Sequence, residues 1–264
     1  MTLCMRKSLE KTKIIKSGKE PRQRLLIATP TLGIVRMEWS VARYGQIIPP
    51  NWSCAYAPIS AVMPTGYLVA NAQNIAVQTA VSQNFEWLFL HEDDVVLPPD
   101  AFLKINNYIR KADVPVVSGL YFLKANPTEP VLYRGRGNSY FGDFKIGQKV
   151  WADGVPTGCL LIHCSLLKLM YAESEEYTVP QGNTTLTLRK VFETPAKTWY
   201  DPESAQYMSQ IGTSDLYWCD RVMKDNILKR AGWSKIARKK YPFLCDTSIL
   251  CKHIDLSTGK LYPE

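Results

Sequence analysis

Three acidic side chains in a row, Glu92-Asp93-Asp94, close an apolar run that starts at Glu86 (EWLFLH). Like charges this close disfavour one another's ionisation, and a bound cation removes that cost. In an extended segment side chains alternate, which sends Glu92 and Asp94 to one side and Asp93 to the other. The first pair is then a candidate grip for a divalent cation and a pyrophosphate. A bare acidic tripeptide is more ordinarily a solvated turn; here the buried run before it and a helix start behind it, Pro98-Pro99-Asp100, favour a ligand site. Thr29-Pro30-Thr31 and Asn71, Gln73 and Asn74 offer hydroxyl, amide and backbone donors to a nucleotide and its phosphates. Trp151, Asp153, Trp199 and Tyr200 suit a sugar, by ring face and hydrogen bond. Asp215 opens a helical stretch, where the helix dipole favours a carboxylate and lowers its pKa. His91 and His163, inside strand-like runs, read as structural.

Positioning these residues requires an alternation of strands and helices. Leu25 to Thr29 reads as a buried strand, Cys54 to Val62 as a second, and Ala70 to Gln83 as a helix. Glu86 to Leu90 is a central strand, and the helix after Pro98 carries the stripe Phe102, Ile105, Ile109. Val114 to Ser118 and Gly158 to His163 are further strands, and Cys164 to Tyr171 a short helix. Glu173 to Gly212 is polar and too long for an ordinary connection. Ser214 reads as the N-cap of a helix over Asp215 to Ala231 that ends at Gly232, and Phe243 to Leu250 as an edge strand. Such alternation implies a largely parallel sheet with ligands at the carboxyl ends of its strands, where the acidic cluster lies.

The segment FEWLFLHEDDVVLPPDAFLKI resembles the Asp-x-Asp segment of GT-A fold glycosyltransferases, particularly the family 2 type, with Glu92 and Asp94 at the two acidic positions. GVPTGCLLIHCSLL, containing Gly158, resembles their acceptor-side strand and helix. SDLYWCDRVMKDN resembles their Glu-Asp helix start, with Asp215 at the catalytic aspartate and Ser214 in place of the common Glu. LCDTSILCKHID resembles the strand that finishes in a metal-binding histidine, here His253. The resemblance spans roughly residues 25 to 255. It implies a GT-A (Rossmann-like) open, mostly parallel sheet flanked by helices, with a small antiparallel acceptor-side portion. Residues 25–120 would form the nucleotide-sugar half and 121–255 the acceptor half of one catalytic domain, with 1–24 as a basic arm and 256–264 as a tail. The implied chemistry is transfer of a sugar from a nucleoside diphosphate sugar to an acceptor hydroxyl. Mn2+ or Mg2+ would be held by Glu92, Asp94 and His253, with Asp93 on the donor side and Asp215 as the base of an inverting step.

Length and composition agree with one α/β domain: 264 residues, 46% hydrophobic, are enough for a proper core. Of the net charge of +8, about six belong to Arg6 to Arg24, which holds eight Lys or Arg against two Glu. The body is thus only mildly basic, which argues against nucleic acid and leaves peripheral contact with anionic surfaces to the arm. Seven cysteines lack the spacing of a disulfide scaffold or a zinc knuckle. With no signal-like or spanning run, a cytoplasmic enzyme is expected. Two alternatives compete. A sugar-phosphate nucleotidyltransferase would want a glycine-rich basic loop after the first strand, and Pro30 to Arg36 has one Gly and one Arg. A non-catalytic carbohydrate or nucleic-acid binding module would keep the fold without turnover.

Overall fold

The computed structural model describes residues 24–51, 53–54, 63–135 and 140–264. In chain order its strands are β1 (Arg24–Ala28), β2 (Ser53–Cys54), β3 (Trp87–His91), β4 (Val95–Val96), β5 (Val116–Leu120), β6 (Lys149–Ala152) and β7 (Cys159–His163). They continue as β8 (Glu176–Gln181), β9 (Thr184–Arg189), β10 (Ala196–Asp201), β11 (Gln206–Ile211), β12 (Phe243–Leu250), β13 (Lys252–Ile254) and β14 (Leu261–Tyr262). The helices are α1 (Met37–Tyr44), α2 (Val69–Ser82), α3 (Ala101–Lys111), α4 (Cys164–Glu173), α5 (Ser214–Lys224), α6 (Ile227–Arg230) and α7 (Ser234–Ala237).

A seven-stranded mixed sheet, ordered β2-β1-β3-β7-β5-β12-β6, forms the centre. Strands β1, β3, β7, β5 and β12 bury side chains on both faces, because successive side chains point to opposite sides. Leu25, Ile27, Trp87 and Phe89 enter one core with Phe102, Ile105 and Ile109 of α3. Leu26, Ala28, Leu88 and Leu90 enter the other with Ala76 and Ala80 of α2, Leu166 and Leu167 of α4 and Trp218 and Val222 of α5. Helices therefore cover both faces. Among the described residues no helix is long and apolar enough to cross a membrane.

Several expectations change. The sheet is mixed rather than largely parallel, because β7 runs antiparallel between β3 and β5, and β6 pairs antiparallel with β12. Strand β12 has the expected bounds, but β6 covers it, so it is not an edge. A four-residue strand beginning with an exposed lysine carries little apolar signal, which is why β6 is not evident in the sequence. The long polar stretch is ordered as two antiparallel hairpins, β8–β9 and β10–β11. Only Val179 and Leu188 of the first are buried, against Ile75, so its apolar pattern is sparse. The helix expected over Asp215 to Ala231 breaks after Lys224, where Asn226 takes a positive φ of 53°; Asn is among the residues that tolerate it. Its N-cap is Thr213 rather than Ser214. In the stretch read as a tail, β14 pairs with β13. Of the strand expected over Cys54 to Val62, the part beyond Cys54 lies outside the described residues, as does the basic arm up to 23.

Candidate active site

Strand ends converge on one edge of the sheet: β1 runs out into Thr29 and Thr31, β3 into Glu92, β5 into Tyr121, and β12 into β13 with His253. The antiparallel strand β7 contributes its beginning, preceded by Thr157 and Gly158. A small sheet, β14-β13-β4, fixes His253 opposite Val95, next to the acidic cluster, and Ile254 N–H donates to the Asp94 carbonyl at 2.7 Å.

The acidic residues do not continue the strand in extended form; they turn, with Val95 N–H donating to the Glu92 carbonyl at 3.2 Å. Each carboxylate consequently has its own neighbours. Glu92 Oε1 accepts from the Thr157 hydroxyl at 2.8 Å, which itself accepts from Gln73 Nε2 at 3.1 Å. Burial, and then the charge of Asp94, push the Glu92 pKa up to about 8. Asp93 is buried beside the β1 loop; burial raises its pKa, and a hydrogen bond from Thr31 partly offsets the rise. Burial would raise Asp94 as well, but His253 and Lys124 outweigh it and hold the carboxyl below its ordinary value. Asp94 Oδ2 lies 2.6 Å from Lys124 Nζ and 3.1 Å from His253 Nε2, while its Oδ1 is buried without a partner.

His253 is oriented by its other nitrogen. Nδ1 lies 2.9 Å from the Phe122 carbonyl, which can only accept, so Nδ1 carries a proton. In the neutral ring Nε2 then turns a lone pair toward the Asp94 carboxylate, an arrangement that repels unless a proton or cation intervenes. A backbone carbonyl that holds one ring N–H and so aims the other nitrogen's lone pair is how metal-binding histidines are commonly set. Asp94 and His253 thus fit a cation. Glu92, expected as a third ligand, is turned to Thr157, and among the described residues no group of three His, Cys, Asp or Glu surrounds a common point.

An open cleft of about 380 Å3 runs from these carboxylates along Pro30, Thr31 and Leu32 to Gly66, Tyr67, Leu68 and Val69. It ends at the first turn of α2, whose free N–H groups and dipole favour an anion. Pro30, Thr31, Glu92, Asp93 and Asp94 line it together, with Asp93 on the same cleft as Glu92 and Asp94 rather than on the opposite side. Asn71 and Asn74 do not belong with them. Asn74 bonds both the N–H and the carbonyl of Phe192, and Tyr177 bridges Asn74 and Asn71, so both amides tie down the β8–β9 hairpin. Gln73 is buried and keeps its Oε1 without a partner.

Asp215 has an environment the sequence did not indicate. Burial raises its pKa, against hydrogen bonds from Thr213 and from Leu216 N–H, the latter at 2.8 Å. Desolvation therefore outweighs the hydrogen bonds that this helix start supplies. Asp215 is close enough for its charge to raise Glu92, Tyr121 and Tyr133, so it faces the same site. Asp153, close by, accepts from Gly135 N–H at 2.8 Å and leaves its other oxygen buried and unpaired. Trp151 packs on the core with Lys239 Nζ 4.1 Å over its ring, which occupies that ring face. Trp199 and Tyr200 are exposed on β10, in a hairpin joined to the Asp215 helix through Gly212 and Thr213. His91 and His163 are structural: buried His91 bonds the Val95 carbonyl at 2.6 Å, and His163 caps α4 through Ser165 N–H.

Tyr121, Thr157 and Lys124 are site residues that sequence reasoning missed. Tyr121 directly follows a strand, so the rule that ligands sit at strand ends could have found it. Burial, then the charge of Glu92, raise its pKa well above the ordinary value, so its hydroxyl stays protonated. That hydroxyl accepts from Gly158 N–H at 3.2 Å, and Gly158 in turn accepts from Glu92 N–H at 3.1 Å. A Cβ on Gly158 would lie 2.6 Å from Val95 Cγ2 and 2.7 Å from the Tyr121 oxygen. Gly158→Ala should consequently lower stability by about 1–3 kcal/mol, as overpacking does, and read out as a clear drop in melting temperature. An unchanged Tm would mean that the backbone here yields easily.

Among solved structures, the chain is similar to the crystal structure of A197 from STIV, with 15% identity over 90% of this chain and 92% of that one and a TM-score of 0.50. That likeness is one of fold, an α/β arrangement shared along nearly the whole length. No protein-family model and no curated protein matches the chain.

Proposed function

We propose that the chain is a metal-dependent glycosyltransferase of the GT-A, family 2 type, binding a nucleoside diphosphate sugar in the cleft between Thr31, Val69 and the acidic cluster. The observation that carries this reading is the Asp94–His253 pair, an orphaned carboxylate oxygen and an oriented imidazole at the mouth of a cleft whose far end is a helix N-terminus. Mn2+ or Mg2+ often takes only one or two protein carboxylates and fills its remaining positions with phosphate and water, so a two-residue site suits a diphosphate-bound ion. Bound there, the cation would neutralise charge on the leaving diphosphate. Lys124, beside Asp94, supplies a second positive charge on the same side.

Asp215 would take the proton of the acceptor hydroxyl. Its raised pKa makes it a better base than an exposed aspartate, provided the pH keeps it ionised. The unpaired Asp153 oxygen would accept a hydrogen bond from the same acceptor. Nucleotidyl transfer has no comparable support, since the β1 loop has one glycine and one arginine, and among the described residues no basic side chain lines the cleft.

A thermal-shift screen of nucleoside diphosphates with and without manganese tests the reading. One diphosphate should raise the melting temperature only with the metal, because a ligand of the native state stabilises by mass action. If no diphosphate shifts the melting temperature in manganese, the reading fails.

A further inference from the structure

Apolar side chains that would ordinarily be buried are exposed along the cleft and on helix α1, which follows the cleft's β1 loop in the chain. Leu32 is 76% exposed, Ile34 82%, Met37 74%, Val41 65%, Tyr44 71% and Leu68 79%. Leu32 and Leu68 line the cleft itself, and Ile34 leads from its rim into α1. Helix α1 buries Trp39 and Arg43, whereas Met37, Val41 and Tyr44, spaced i, i+4 and i+7, form one stripe on the face turned to solvent. Soluble monomers seldom expose contiguous apolar patches beyond a few hundred Å2, and larger ones mark an interaction surface.

Charge says what kind of surface. About six of the eight net positive charges lie in Arg6 to Arg24, so one chain carries an apolar stripe in want of cover and a cationic segment in want of an anion. A second copy of the chain would cover the stripe but repeat the positive charge. An anionic phospholipid surface satisfies both. Membrane binding through one weak signal is marginal, whereas apolar insertion combined with a polybasic segment is stable.

We propose that the α1 stripe and the cleft rim seat on an anionic phospholipid surface, held there jointly by the basic segment, so that the cleft opens at the lipid boundary. The proposal does not depend on the glycosyltransferase reading. Its test is co-sedimentation of the full chain with phosphatidylcholine vesicles made with or without phosphatidylglycerol. The chain should sediment with the anionic vesicles and be released by salt. Met37→Asp with Val41→Asp, both at exposed positions, should weaken that binding at least about 10-fold. Deleting residues 1–22 should weaken it too, without lowering the melting temperature. The milder Val41→Ser with Ile34→Ser should show the same direction of change if the aspartate pair disturbs folding. Failure to sediment with anionic vesicles would overturn the proposal, as would unchanged binding by both folded stripe variants. So would a wild-type dimer in light scattering that the stripe variants convert to monomer, since a second copy would then be the cover. Manganese-dependent diphosphate binding should persist in the stripe variants, so the two readings succeed or fail separately.

Discussion

Asp215→Asn should give a folded protein that binds nucleoside diphosphate with manganese almost normally and transfers sugar about 10²- to 10⁴-fold more slowly, the usual cost of losing a positioned base. The amide keeps the shape of the carboxylate and can still accept from Leu216 N–H, so the start of α5 should survive; even loss of a cap costs only about 1 kcal/mol. What the amide cannot do is accept the acceptor's proton. The pH profile adds a second readout. Burial raises the Asp215 pKa, so the wild-type rate should be lost as pH falls through that raised value, at higher pH than for an exposed aspartate. The Asn variant should lack that limb while keeping any that Glu92, with its pKa near 8, contributes. Transfer near the wild-type rate by the folded variant would remove Asp215 from the role. A product retaining the donor's anomeric configuration would exclude a single inversion.

The residues best read from sequence are those attached to strongly apolar strands. EWLFLH, GCLLIH and FLCDTSIL emerge as β3, β7 and β12 within a residue or two, because strands buried on both faces are apolar over most of their length. Their order in the sheet is another matter. Nothing local tells β7 to run antiparallel between β3 and β5; both partners lie well before it in sequence, and its composition would suit either direction. The site divides in the same way. Carboxylates after a strand are legible, and so is a histidine after the last long strand. The turn that directs Glu92 to Thr157 and Asp93 to Thr31 is not, since it depends on the loop before β7 and on the loop after β1. Asn71 and Asn74 had the right residue type at the start of the right helix. They are committed to the β8–β9 hairpin, which the sequence presents only as a long polar stretch.

Replacement of Asp94 should have the other large effect: in Asp94→Ala, diphosphate binding should no longer depend on manganese. Wild-type Asp94 offers one unpaired buried oxygen and one shared with Lys124 and His253, and its carboxyl is held in the ionised form, as a cation ligand requires. Two phosphates cannot approach this charge without a cation to neutralise it. With alanine in place, the repulsion is gone and the Lys124 ammonium, released from its 2.6 Å ion pair, is free to meet a phosphate directly. Residual diphosphate binding should then be equal in chelator and in manganese. His253→Ala removes only a neutral donor and leaves the charges in place, so it should weaken manganese binding by less than Asp94→Ala does. Disturbing an outer-shell partner of a metal ligand already costs about 10- to 100-fold in affinity, so losing the ligand itself should cost at least about 10-fold. Manganese titration followed by electron paramagnetic resonance reads both variants directly, without a substrate. Wild-type protein that binds diphosphate equally in chelator and in manganese would remove the metal from this site. Unchanged manganese affinity in His253→Ala would leave His253 as a brace between Phe122 and Asp94, and the cation, if bound, to Asp94 and the phosphates alone.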